Sequence, residues 1–253
     1  MTPLTDITSY NSNMRKSLPD KLWWLDKLSP DIRTVVDYGC ADGALLEAIA
    51  FSNPEAMLFG YDFSPDMVKI ASENLGGKAV ITDDYEKILR CADPDTAVLS
   101  ASSVFHEIMN YSPEPEDDFK RIFQSGFRYI AIRDMFVSEK AFYPSDEKAV
   151  NRVRSAFPAE KTAEFEKYIG SLRENQNLLQ FFLTYRYTIN WDREVRENYF
   201  PYTIERFLTM IPATYEVVYG EHYILPFAAD SVKRDFGVCL RDNTHGKILL
   251  RKK

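Results

Sequence analysis

Apolar and polar positions follow two rhythms along this chain of 253 residues. Short β-branched or apolar runs near 34–36, 57–61, 79–81, 96–100 and 127–132 have the length of buried strands. Between them, apolar residues recur every three or four positions, the spacing of a helix with one buried face. After Gly43 these are Leu45, Leu46, Ile49 and Ala50. Ser64 and Pro65 form an N-cap and first-turn pair that opens another helix. Shorter helices are expected at 85–90 and 117–124, with a proline-rich acidic loop at 111–118. Near the start, Leu18, Leu22, Leu25 and Leu28, flanking Trp23 and Trp24, predict a helix from Asn13 to Leu28. It either covers the core or closes over a ligand. Strand and helix alternate through residue 135, which predicts a mostly parallel sheet covered on both faces.

Residues 138–200 break that rhythm. They are helical, charged and punctuated by Val150, Val153, Phe157, Phe165 and the run from Leu178 to Leu183. Such a segment reads as a helical insertion after the fifth strand, here termed the cap. Within it, Arg186, Arg193 and Arg196 interleave with Asp192, Glu194 and Glu197, the pattern of a solvated or salt-bridged helix face. A helix at 203–210 is stopped by Pro212, and 215–219 and 247–251 read as the last two strands. Their connection, 222–245, is long for a hairpin. Its Leu225-Pro226-Phe227 is expected to touch the cap or a partner. The units expected are an N-terminal lid (1–30), a ligand-binding core (31–137), the cap (138–202) and a C-terminal helix and hairpin (203–253).

Composition narrows the function classes. The formal charge of -7 disfavours a broad nucleic-acid surface, although a local groove stays open. No apolar run approaches the roughly 18 residues of a membrane span, and residues 1–12 lack the core of a signal peptide. Cys40, Cys91 and Cys239 are isolated, so neither a disulfide framework nor a metal site is expected. A cytoplasmic protein is the simplest expectation.

The candidate chemistry begins at Val35-Val36-Asp37-Tyr38-Gly39-Cys40-Ala41-Asp42-Gly43. A strand entering a helix through glycines leaves the helix N-terminus open to a ligand at the carboxyl edge of a sheet. The spacing is not the G-x-G-x-x-G of a dinucleotide site. It is D-x-G-x-A-x-G, and it resembles motif I of the class I S-adenosylmethionine-dependent methyltransferases. In that family the loop lies against the methionine and ribose parts of the cofactor, which the resemblance carries to Asp37, Gly39, Cys40, Ala41 and Gly43. Ala41 departs from the pattern, since glycine is usual there, and alanine is expected only at negative φ.

Gly60-Tyr61-Asp62-Phe63-Ser64-Pro65-Asp66-Met67 is similar to the family's motif II. Asp62 stands about 20 residues past the glycine loop, the interval at which an acid reaches the ribose hydroxyls. The resemblance places Phe63 beside the adenine and Met67 beneath it, though Met67 reads equally well as core. Asp83 or Asp84, after the third strand, takes the adenine amino group, and the other caps the following helix. Ser102-Ser103-Val104-Phe105-His106-Glu107 resembles motif IV, where the fourth strand borders the transferable methyl. Ser102 then faces the cofactor. His106 is either a general base oriented by Glu107 or a packing residue. Arg133, at the exit of the fifth strand, binds a substrate anion or forms an internal salt bridge. Tyr185, Tyr187, Asn190, Trp191 and Tyr199 either close a pocket over the acceptor or form the core of the cap.

The resemblance implies a Rossmann-like, seven-stranded, mostly parallel α/β sheet with a helical cap. It implies an enzyme that moves a methyl group from S-adenosylmethionine to a small or medium polar acceptor. An RNA methyltransferase and a non-catalytic cofactor-binding protein on the same fold are the alternatives. The sequence leaves the oligomeric state open.

Overall fold

The computed structural model describes residues 17–253. The expected helix at 13–16 and the rest of the first 16 positions lie outside them. Seven strands form one sheet in the order β3-β2-β1-β4-β5-β7-β6. They are β1 (Thr34–Tyr38), β2 (Met57–Tyr61), β3 (Val80–Thr82), β4 (Ala97–Ser102), β5 (Tyr129–Met135), β6 (Tyr215–Tyr223) and β7 (His245–Lys252). β1 to β5 run parallel, and β7 is antiparallel to both β5 and β6. The order reverses at β1, which pairs with β2 on one side and β4 on the other. Loops leaving those strands diverge there and open a crevice at their carboxyl ends.

The period of two along each strand divides the core into two faces. Val36, Leu99, Ile130 and Ile248 face one way, against α4 (Tyr85–Cys91), α5 (Phe105–Tyr111), α6 (Pro115–Gln124) and α11 (Ile204–Met210). Val35, Val98, Ala131 and Leu249 face the other, against α2 (Ala44–Ser52) and α3 (Pro65–Leu75). Each fully buried aliphatic side chain contributes about 1.5–3 kcal/mol.

Within the described residues 17–28 the expected helix is not continuous. α1 spans only Leu18–Lys21, and a single 3-10 turn follows at Leu25–Lys27. Trp24 is fully buried on the second core face, and Trp23 packs on Tyr219 with ring centroids 5.3 Å apart. Adjacent helical positions point about 100° apart, so one straight helix cannot seat both indoles.

The inserted segment forms α7 (Glu147–Ala156), α8 (Ala159–Tyr168), α9 (Asn175–Thr184) and the short α10 (Trp191–Glu194). The β6–β7 connection is long because it contains α12 (Pro226–Phe236). Val153, Phe165, Phe181, Phe182 and Trp191 share one apolar cluster with Val232 and Phe236 of α12. The cap therefore draws on two separate stretches of chain. Among the described residues, no helix is long and apolar enough to cross a membrane.

Candidate active site

The turn after β1 is pinned from β2. Gly39 and Cys40 donate their amides to the Tyr61 carbonyl at 2.8 and 2.9 Å. Gly39 and Gly43 have φ of 78° and 81°. A Cβ on Gly39 would lie 2.7 Å from Val104 Cγ2, and one on Gly43 would lie 2.9 Å from Leu75 Cδ1. Only glycine meets both demands.

Ala41 corrects an expectation, because its φ is 46°, in the left-handed region. That conformation costs an alanine about 1–2 kcal/mol. The compensation is specific. The Ala41 amide donates to Asp62 Oδ2 at 2.9 Å, while the Ser64 amide donates to Asp62 Oδ1 at 3.0 Å. Burial raises the pKa of the Asp62 carboxyl, and these two donors partly offset it.

Asp37, Gly39, Cys40, Ala41 and Ser102 line one small cavity of about 30 Å³, together with Leu18 and Lys21 of α1. Burial pushes the Asp37 carboxyl up to about 7, against the opposing charge of Lys21. Phe63 stands exposed beside Asp62, and Met67 is buried in α3. Asp84 caps α4 through the Lys87 amide at 3.2 Å and reaches Arg90 at 3.4 Å. Asp83 is exposed. The donor set suits a nucleoside with a charged amino-acid tail: a buried acid at the end of β2, an apolar ring beside it, a glycine turn, and an acid after β3. This cleft is the part of that site nearest the glycine turn, and Leu18 and Lys21 place α1 along its wall. Lys21 escapes sequence reasoning because the motif begins sixteen residues later, at Asp37.

Beyond Ser103 opens a second cavity of about 600 Å³ between the sheet edge and the cap. Asp20 of α1 reaches its wall and is clamped there. Its Oδ2 accepts from Arg133 Nε at 2.9 Å and from the Tyr223 hydroxyl at 2.7 Å, and its Oδ1 lies 2.7 Å from Lys247 Nζ. Burial would raise the Asp20 pKa, but the Arg133 charge and these partners lower it. Arg133 also donates to Ser103 Oγ at 2.9 Å. Its guanidinium thus lines the cavity but is engaged by Asp20 and Ser103.

His106 lies in the same wall with both ring nitrogens occupied. Nδ1 is 2.7 Å from Asp134 Oδ1, and Nε2 is 3.1 Å from Glu197 Oε1. Asp134 is fixed in turn by the Phe105 amide at 2.7 Å. Burial works against the charged ring, but the two carboxylates override it and hold the His106 pKa well above 6.5. The imidazolium keeps Asp134 and Glu197 below the usual carboxylate range despite their burial. A ring in this state offers no lone pair to a substrate proton.

Two neighbouring carboxyls behave differently. Glu107 lines the cavity and is held by Arg193 Nη2 at 3.0 Å. Burial and the Glu197 charge push it up to about 6. Glu194 accepts from the Tyr199 hydroxyl, and the same two causes push it up to about 7. Of the two readings of this charged stretch, solvated or salt-bridged, Arg193, Glu194 and Glu197 follow the second and are buried, while Asp192 and Arg196 stay exposed. Short α10 turns its inner side toward α5, where His106 and Glu107 supply the partners. His106, Glu107 and Glu197 bring one ligand-type atom each within 4.8 Å of one another. The positive charges among these groups are the His106 ring and Arg193, whose Nε also lies 3.7 Å from Glu197.

Of the cap residues expected at the acceptor, Tyr187 lines the cavity and Tyr199 does too. Tyr185 and Trp191 do not. They belong to the apolar core of the cap, with the Tyr185 hydroxyl on Asp235 at 2.7 Å and Trp191 Nε1 on Glu164 at 2.8 Å. Asn190 is buried, its carbonyl accepting the Arg193 and Glu194 amides of α10. Sequence reasoning missed Arg186 as a lining residue. It packs over the Phe227 ring, 4.5 Å from the centroid. Its Nε and Nη1 are buried and meet no acceptor among the described residues. An unmet buried donor costs about 1–3 kcal/mol, more when charged.

No protein-family model matches the sequence, and neither does any curated protein. Solved structures do match its fold. The plantazolicin methyltransferase BamL, in complex with a triazolic desmethylPZN analog and SAH, aligns over 97% of this chain and 88% of its own, at 12% identity and a TM-score of 0.51. The plantazolicin methyltransferase BpumL, in complex with SAH, aligns over 98% and 89%, at 14% identity and a TM-score of 0.51. The methyltransferase domain of bacterial CtHen1-C aligns over 94% and 97%, at 13% identity and a TM-score of 0.50. The chain has the class I S-adenosylmethionine-dependent methyltransferase fold.

Proposed function

We propose that the protein is an S-adenosylmethionine-dependent methyltransferase whose small or medium polar acceptor occupies the cavity under the cap. The observation that carries this reading is the junction at the end of β4. Ser102 lines the cofactor-side cavity, and its neighbour Ser103 lines the larger one. A methyl donor and an acceptor held on either side would meet there.

Asp62 would hold the ribose hydroxyls, the 39–43 turn the methionine end, and Asp83 the adenine amino group, with Phe63 against the ring. When bound, the cofactor supplies a methyl already activated on a sulfonium. The task of the chain is alignment, and an in-line approach of about 3 Å lowers the barrier by several kcal/mol. Transfer of that methyl to an acceptor nitrogen or oxygen would leave S-adenosylhomocysteine, held by the same Asp62 and 39–43 turn. Glu107 takes the acceptor's proton. Its pKa of about 6 leaves it ionised at neutral pH yet basic enough to accept. His106 positions Glu197 and α10 rather than moving a proton. The acidic wall of Glu107, Glu194 and Glu197 disfavours an RNA backbone.

Isothermal titration with S-adenosylmethionine and S-adenosylhomocysteine tests the reading. Micromolar binding of both is expected, and no binding by the folded protein would overturn it.

A further inference from the structure

We propose that the methyl acceptor carries a carboxylate and that Arg186 binds it. The inference rests on the methyltransferase reading and names the substrate class for the same cavity.

Among the described residues, three guanidinium groups line the cavity. Arg133 is engaged by Asp20 and Ser103. Arg193 is held by Glu107 and approaches Glu197. Arg186 differs, because Nε and Nη1 are buried without an acceptor among the described residues. Its contact is the flat face of Phe227, which supports a cation without accepting a hydrogen bond in the guanidinium plane. Buried guanidinium donors left unmet carry a cost that a ligand oxygen would remove.

The charge of the remaining wall selects the oxygen group. Asp20, Glu107, Glu194 and Glu197 all border the space. A phosphate dianion would face those carboxylates with only the Arg186 guanidinium, whose Nε and Nη1 are unmet, to balance it. A carboxylate needs only the single positive charge that Arg186 offers. Placement agrees with the chemistry. Arg186 and Phe227 come from the cap, whereas Ser103 and Glu107 come from the β4 end where the methyl would arrive. A carboxylate anchored on the cap leaves the other end of the acceptor free for Ser103 and Glu107.

The test uses the full chain saturated with S-adenosylhomocysteine, with benzoate, benzamide and inorganic phosphate as probes. Titration of the cofactor product reports separately on the methyltransferase reading. Benzoate is expected to bind wild type saturably and benzamide at least tenfold more weakly. Arg186→Gln is expected to weaken benzoate at least tenfold while leaving S-adenosylhomocysteine affinity unchanged, and Arg186→Lys to retain part of the benzoate affinity. Thermal melts of both variants check that they fold. Equal benzoate affinity in wild type and Arg186→Gln would overturn the proposal and leave the methyltransferase reading standing. Phosphate binding tenfold tighter than benzoate would overturn the carboxylate in favour of a phosphate ester. Loss of S-adenosylhomocysteine binding in wild type would overturn the parent reading and this one with it.

Discussion

The carboxylate of Asp62 accepts the amide of Ala41 at 2.9 Å, across the gap between the second strand and the first turn. That bond holds an alanine at a φ of 46°, where the family pattern favours glycine. Two expectations separated in sequence, an acid for the ribose and a backbone for the methionine end, are thus mechanically joined.

Ala41→Gly should therefore not destabilise the protein. Relief of about 1–2 kcal/mol of left-handed strain offsets the 0.4–1 kcal/mol or so that glycine adds to the entropy of the unfolded chain. Urea unfolding should show a midpoint equal to wild type or slightly higher, and a clear drop would sink the strain argument.

Asp62→Ala should lose both the ribose contact and the clamp on Ala41. Loss of detectable S-adenosylhomocysteine binding is expected, with a stability loss of about 1–3 kcal/mol. Calorimetry and urea unfolding separate the two effects. Retained affinity in the folded variant would refute the ribose assignment.

The Asp134–His106–Glu197 triad predicts a two-sided pH dependence of stability. The folded pKa of His106 is raised, so its contribution is complete below about 6.5 and disappears as pH rises through the higher folded value. The folded pKa of Asp134 is lowered, so its contribution is complete above about 4 and disappears as pH falls through the depressed value. Nitrogen NMR of the His106 ring at pH 7 should show both nitrogens protonated. His106→Asn should cost about 3–5 kcal/mol, because two buried carboxylates lose their counterion. A neutral ring at pH 7 would contradict this account.

If Glu107 is the base, Glu107→Gln should lower kcat about 10²–10⁴-fold with little change in cofactor affinity. The wild-type rate should climb through about pH 6, as the carboxyl ionises. His106→Asn should keep that limb but move it to higher pH, because the charge of the ring holds the Glu107 pKa down. A pH profile unchanged by Glu107→Gln would remove Glu107 from proton transfer.

Asp20→Asn should loosen α1, because one charge serves Arg133, Lys247 and Tyr223 together. Stopped-flow association of S-adenosylhomocysteine should then be several-fold faster than in wild type. An unchanged rate would mean that α1 does not gate the cofactor side.

Much of the sheet was legible because a period of two leaves a local record. Val35 and Val36 are neighbours in sequence and face opposite cores. The glycine turn was legible because Gly39 and Gly43 meet steric demands that few residues satisfy. The acceptor side was not. Arg193, Glu194 and Glu197 read equally as a solvated or a salt-bridged face, and only the return of α10 against α5 supplies partners from far along the chain. Tyr185, Trp191 and Arg186 are close together in sequence, yet the first two fill the interior of the cap and the third reaches the cavity. No local pattern separates them, because the path of the loop after α9 decides it.

The apolar cluster shared by α7, α9 and α12 also fixes the order in which the molecule can be finished. On the ribosome, Val153, Phe181 and Phe182 are synthesised well before Val232 and Phe236, the residues that cover them. Until α12 emerges, the nascent chain carries an open aromatic surface that invites chaperones and aggregation. β7, which sits between β5 and β6, comes later still. A chain cut short before the final strand would lack both the last partner of β5 and the Lys247 contact to Asp20.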